Sequence, residues 1–160
     1  MVAISGFFDA RTNLAGLLVQ SGRTEAALAE VRAGLDLRPG DPAFLCMLGL
    51  IAQQGGDQAA ALHAFDDALA ADPEFTAALA DRAVSHYESG DLDAAVDDLT
   101  RALEIAGDDP DLLYNRGFAH QAAGRHSAAV ADFDLALELP GADRAELLHR
   151  RGLSLTAIGG

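Results

Sequence analysis

"PAFLCMLGLIAQQGGDQAAALHAFDDALAADP", residues 42–73, decides the fold. Its first half places Leu45, Leu48 and Ala52 at helical spacing, and its second half lines Ala61, Leu62, Phe65, Ala68 and Leu69 along one face. That period predicts two amphipathic α-helices. Gly56 stands between them, at the position where a helix ends in a left-handed backbone that costs glycine nothing. Pro73 closes the second helix, because proline cannot continue one.

Working outward, the same punctuation recurs. Gly22, Gly56, Gly90 and Gly124 are 34 residues apart, and Gly159 follows after 35. Alanine stands five residues after each of the first four, at Ala27, Ala61, Ala95 and Ala129. A bulky apolar residue comes four later, at Val31, Phe65, Leu99 and Phe133. Seven residues before the glycines the side chain is small: Ala15, Gly49, Ala83, Gly117 and Gly152. A fixed period of this length means stacked copies of one helix pair, and the small residues let the two helices of a pair approach closely. Asp57, Asp91 and Thr24 are placed to cap the second helices, and Asp109 before Pro110 reads as a helix start.

Leu45, Leu48, Gly49, Ala61, Phe65 and Pro73 match L-x2-L-G, A-x3-F, P, and on these residues the chain resembles the tetratricopeptide-repeat family. The resemblance covers about residues 8–160: repeats at 8–41, 42–75, 76–109 and 110–144, then the first helix of a fifth at 145–160. The consensus tryptophan is missing, tyrosine gives way to Leu18, Ala52, His86 and His120, and Arg11 and Gly34 replace usually apolar or alanine residues. The resemblance implies an all-α fold, a right-handed superhelical solenoid of antiparallel helix pairs forming one array in residues 1–160. Its last helix is apolar for an end cap, which leaves two readings: a single helix that caps the array, or, as favoured here, a fragment or domain of a longer protein.

Arginine precedes the small residue at Arg82, Arg116 and Arg151, where an apolar side chain would be easier to bury. Sixteen residues after Arg82 and Arg116 come Asp98 and Asp132; the equivalent pairs in the first two repeats are Leu14 with Glu30 and Leu48 with Ala64. Two structural ion pairs inside repeats are therefore expected, Arg82 with Asp98 and Arg116 with Asp132, since a partly buried guanidinium needs a carboxylate. The matching partner of Arg151 would fall near position 167, past Gly160.

Motifs of chemistry are missing: no nucleophile elbow, glycine-rich phosphate loop, CxxC or HExxH occurs, so neither enzymatic activity nor a cofactor is expected. His86 and His120 occupy equivalent positions but lack a ligand set for zinc, and "GDDPDL" at 107–112 lacks a calcium loop, so no metal is expected. They read as packing residues with a polar tip.

Of the charged side chains, 25 are acidic and 11 are arginine, with no lysine, giving a formal charge of -14. This repels phosphate backbones, so neither nucleic acid nor an anionic membrane is an expected partner. Repeats 42–75 and 76–109 carry -5 and -7 of that charge, which would steer a partner with a basic segment. The arginine, alanine, glycine and aspartate bias points to a GC-rich bacterial source. Cys46 is the one cysteine, and with no secretory start or long apolar run the expected address is cytoplasmic.

The family resemblance implies a concave groove lined by the first helix of each pair. On this sequence it would present Cys46, Leu50, Gln53 and Gln54, then Val84, Tyr87 and Glu88, then Tyr114, Phe118 and Gln121. Such a surface suits a peptide or partner protein, with apolar anchors in pockets and amides on its backbone. The lysine and asparagine of members that clamp an acidic C-terminus are absent. Two other readings stay open: self-association through the C-terminal helix, and an accessory domain of a larger regulator or enzyme.

Overall fold

The computed structural model describes residues 2–159, with side chains from Ala10 onward. Among the described residues it is all-α: α1 (Val2–Gln20), α2 (Thr24–Leu37), α3 (Pro42–Gln54), α4 (Gln58–Ala71), α5 (Thr76–Glu88), α6 (Leu92–Ala106), α7 (Pro110–Ala122), α8 (His126–Glu138) and α9 (Arg144–Gly159). None of these helices is long and apolar enough to cross a membrane.

The ends are set locally. Gly56 has φ 78°, its N–H donates to Gln53 O at 2.9 Å, and the N–H of Asp57 reaches back to Ala52 O at 3.0 Å. This pair of bonds satisfies carbonyls that the helix leaves unpaired. It recurs at Gly22, Gly90 and Gly124. Asp57 and Asp91 cap α4 and α6 by accepting from Ala60 N at 3.0 Å and Ala94 N at 3.2 Å. Asp109 caps α7 the same way, with Pro110 at its first turn. Thr24 does not cap α2: it is already the first helical residue, the flanking position belongs to Arg23, and its hydroxyl donates instead to Gly22 O at 3.4 Å.

The chain forms two compact units that divide between Ser85 and His86, inside α5. In the first, α1 packs on α2 and α3 on α4. One cluster holds Ala15, Ala27, Val31, Phe44 and Ile51, and a second holds Cys46, Ala61, Phe65, Ala68 and Ala78. A Cβ added to Gly49 would lie 2.4 Å from the Phe65 ring, so the missing side chain is what lets α3 and α4 close over that phenylalanine. Gly34, irregular in the sequence pattern, has the same purpose across α2 and α3, where an added Cβ would meet the Phe44 ring at 2.3 Å.

In the second unit α7 packs on α8, and α8 on α9, around Leu113, Ala129, Phe133, Ala136 and Leu147. Gly117 faces Phe133 as Gly49 faces Phe65, at 2.6 Å from an added Cβ. Phe44, Phe65 and Phe133 are all 0% exposed, and each such burial stabilises the fold by about 2 kcal/mol of transfer free energy.

Candidate binding face and the polar network behind it

Helical spacing puts the expected residues of each first helix on one side of that helix, but several of them are engaged inside the fold. In the first unit Cys46 is buried, and its thiol donates to Asp81 Oδ2 at 3.2 Å. Burial, then the Asp81 charge and the hydrogen bond, push the thiol far above its ordinary range, so it offers neither surface nor nucleophile. Burial likewise raises the Asp81 carboxyl, against the opposing hydrogen bond from Cys46. Leu50 is half-buried between the Phe44 and Phe65 clusters. The amide of Gln53 donates to Ser85 Oγ at 3.4 Å, and that of Gln54 to Val19 O at 3.0 Å. Val84 is exposed.

The second unit carries an aromatic run. Tyr87 and Phe118 have centroids 5.0 Å apart, and Tyr114 stacks beyond Phe118 at 6.1 Å and 7°. All three are half-buried, while Glu88 is exposed. The guanidinium of Arg150 lies 4.5 Å above the Phe118 ring, within cation–π range. Arg150 Nε donates to Glu146 Oε1 at 2.6 Å, and the Tyr114 hydroxyl donates to the same oxygen at 3.3 Å. The Arg150 hydrogen bond holds the Glu146 carboxyl below its ordinary range, and burial raises the Tyr114 phenol. Beside this network a cleft of about 270 Å³ opens between α7 and α9, lined by Pro110, Asp111, Tyr114, Asp143 and Glu146. The Gln121 amide donates to Arg150 O at 3.0 Å and to buried Ser154 Oγ at 2.8 Å.

Arg116 makes a bidentate bridge to Asp132, Nε to Oδ2 at 3.0 Å and Nη2 to Oδ1 at 2.6 Å. Its Nη1 donates to Thr100 Oγ1 at 3.3 Å, sixteen residues in the other direction. Arg82 turns the same way, to Asp66 Oδ1 at 2.6 Å, and Arg151 Nε lies 2.6 Å from Asp134. This second partner is missing from the sequence reading, although Asp66, Thr100 and Asp134 recur in phase every 34 residues. In the second unit Asp98 is buried with His86 Nε2 3.9 Å away. Glu30, paired by spacing with Leu14, instead meets Arg11 at 3.2 Å, one turn earlier on α1. Glu146, Arg150, Ser85 and Ser154 were also missed. The two serines stand opposite Gln53 and Gln121, which are themselves two periods apart. Among the described residues, no three His, Cys, Asp or Glu side chains gather as an ion would require.

A sequence model of the tetratricopeptide repeat matches residues 46–110 and 85–146, well over half of the chain. No curated protein matches the sequence. Among solved structures the chain is similar to one from the APC/C hetero-tetramer Cut9–Hcn1, with TM-score 0.82 and 18% identity over 92% of this chain but only 30% of that one. It is similar to PilF of Pseudomonas aeruginosa, with TM-score 0.85 and 20% identity over 93% of this chain and 68% of that one. The first repeat domain of Spaghetti (RPAP3), solved with the HSP90 peptide SRMEEVD, gives 0.69 and 19% over 75% of this chain and 97% of that one. At these identities the likeness is one of fold.

Proposed function

The chain belongs to the tetratricopeptide-repeat family, and from that premise we propose that it is a protein-interaction scaffold that holds a peptide segment of a partner on the face of its first helices. The observation that carries this reading is the half-buried run Tyr87, Phe118 and Tyr114. Large rings that are neither sealed in the core nor scattered give a ligand apolar area at little entropic cost, the usual anchor of an interface. The RPAP3 domain with its bound peptide supports the choice of a peptide as ligand class.

The hydrogen bonds refine the mode. Gln53, Gln54 and Gln121 are engaged within the fold, so recognition rests on apolar side chains of the ligand more than on its backbone. The acidic surplus favours a ligand with a basic segment. No catalytic role is proposed, and the buried, unreactive thiol suits a reducing cytoplasm in a bacterial cell.

The test is selection from a random peptide library, then affinity measurement with the intact chain and a Tyr114→Ala, Phe118→Ala variant whose helicity matches. Peptides with apolar anchors beside basic residues, bound at least about tenfold more weakly by the variant, are expected. Equal affinity for both proteins would remove the aromatic run from the binding surface.

A further inference from the structure

The cleft between α7 and α9 joins two kinds of wall. Pro110, Tyr114 and Leu147 give it apolar surface, and Asp111, Asp143 and Glu146 bring three carboxylates to the same space of about 270 Å³. The protein's own cations do not balance them. Glu146 takes the Arg150 guanidinium, but among the described residues neither Asp111 nor Asp143 has an ion pair. Asp143 Oδ1 accepts from the N–H groups of Ala145 and Glu146, at 3.1 and 3.2 Å, where α9 begins. Arg144, the base beside it in sequence, is turned away to Leu137 O at 2.6 Å.

Arg150 shows what a ring beside a carboxylate holds here. Its guanidinium lies 4.5 Å over the Phe118 ring while its Nε donates to Glu146. Tyr114, one turn earlier on α7, sets a second ring against the cleft, and among the described residues no guanidinium lies over it. Taking the aromatic run as the peptide site, we infer that the α7–α9 cleft receives an arginine or lysine side chain of the bound peptide, two positions from the apolar side chain that rests on the run. The aliphatic stem lies along Tyr114 and Leu147, and the charge ends among the carboxylates. Three carboxylates against Arg150 leave two negative charges for it to meet. The spacing follows from the rings. Phe118 and Tyr114 have centroids 6.1 Å apart, and an extended peptide returns to the same side every two residues, about 6.8 Å. A further helix lying on α9 as α8 lies on α7 would leave the cleft open. It would cover Leu148 and Gly152, the counterparts of Leu113 and Gly117, on the far side of α9 from Glu146. Asp111 is exposed on α7 with α8 and α9 both in place.

The probes are fluorescein-labelled, capped peptides Ser-Ala-Phe-Ala-X-Ala-Ser, with X arginine, lysine or citrulline, titrated against the full chain by anisotropy. Citrulline keeps the shape of arginine and removes its charge. The two charged peptides are expected to bind about fivefold or more tightly than the citrulline peptide. Moving arginine next to phenylalanine turns it to the other side and removes that advantage. Asp111→Asn with Asp143→Asn in the protein also abolishes the preference and leaves the citrulline peptide's affinity unchanged. Both residues are exposed, and asparagine caps α9 as aspartate does, so the fold is kept. Asp97→Asn with Glu104→Gln removes the same charge from exposed positions of α6 and keeps the preference. A preference that survives the cleft variant, or that falls equally in the α6 variant, overturns the inference. Equal binding of all three peptides, lost with Phe118→Ala, would overturn the cleft and leave the aromatic face standing. Binding of none would overturn both.

Discussion

Close approach at single residues is what this fold asks of its sequence, and the demands come in matched pairs. Gly49 faces Phe65 and Gly117 faces Phe133, whereas the intervening repeat has Ala83 and Leu99 at those positions. Where the second helix carries the larger side chain, the first gives up its Cβ. Gly117→Ala should therefore cost about 1–3 kcal/mol by forcing the Phe133 ring off its rotamer. Adding Phe133→Leu reproduces the Ala–Leu pairing and should recover part of that loss, measured by urea denaturation; a double variant no better than the single would show the pairing to be incidental. Both columns are legible in the sequence as period and size, but Gly34 is not, because its partner Phe44 lies in the next repeat, outside the internal pattern. Cys46 gives a second prediction at this scale. Its thiolate is disfavoured by burial and by Asp81, so alkylation at neutral pH should run at least about tenfold slower in the folded chain than in denaturant. Equal rates would mean that the α3 surface opens readily.

Between elements, polar side chains decide which helix faces meet. Asp132 is 4% exposed and bridged by Arg116, so Arg116→Leu alone would leave a buried carboxylate unpaired and should cost about 3–5 kcal/mol. The double variant Arg116→Leu, Asp132→Ala installs the Leu48 and Ala64 combination of repeat two and should regain most of it. Additive losses in thermal unfolding would contradict this. For Arg116 the partner sixteen residues onward was readable, since arginine and aspartate occur together in the sequence and leucine occurs without either. The partner sixteen residues back was not: it depends on how one helix pair sits on the one before, which spacing within a repeat does not encode. The same holds for Gln121 with Ser154, an amide that looks like a ligand donor until the neighbouring helix is in place. His120 on α7 adds a pH dependence. Burial lowers its pKa from 6.5, so its contribution is complete above the unfolded value and is lost as pH falls from 6.5 through the lower folded value. His120→Leu removes that loss. Its unfolding free energy relative to the parent should grow as pH drops below 6.5, and a constant difference would show that the ring is solvated.

Across the whole molecule the governing quantity is charge, which the sequence states outright. Its placement is another matter. Spacing alone could not tell whether the carboxylates were solvated or enclosed. The side chains of Asp66, Asp67 and Asp93 are 62%, 53% and 82% exposed, so these acidic groups lie in water and repel one another through solvent. Their arginine partners, Arg82 and Arg125, are too few to cancel a surplus of -14. Exposed pairs of this kind contribute about 0–1 kcal/mol each, and salt weakens them. Salt also weakens the repulsion among the acids, which outnumber the arginines 25 to 11. Raising sodium chloride from about 0.01 M to 0.15 M shortens the screening length from about 30 Å to 8 Å. Repulsion acting over that range fades while Arg116 and Asp132, packed together and half removed from water, keep their bridge. The melting temperature should therefore rise by a few degrees over this interval and level off above it. A fall would mean that the exposed ion pairs outweigh the net charge, and that the acidic surface stabilises the fold instead of straining it.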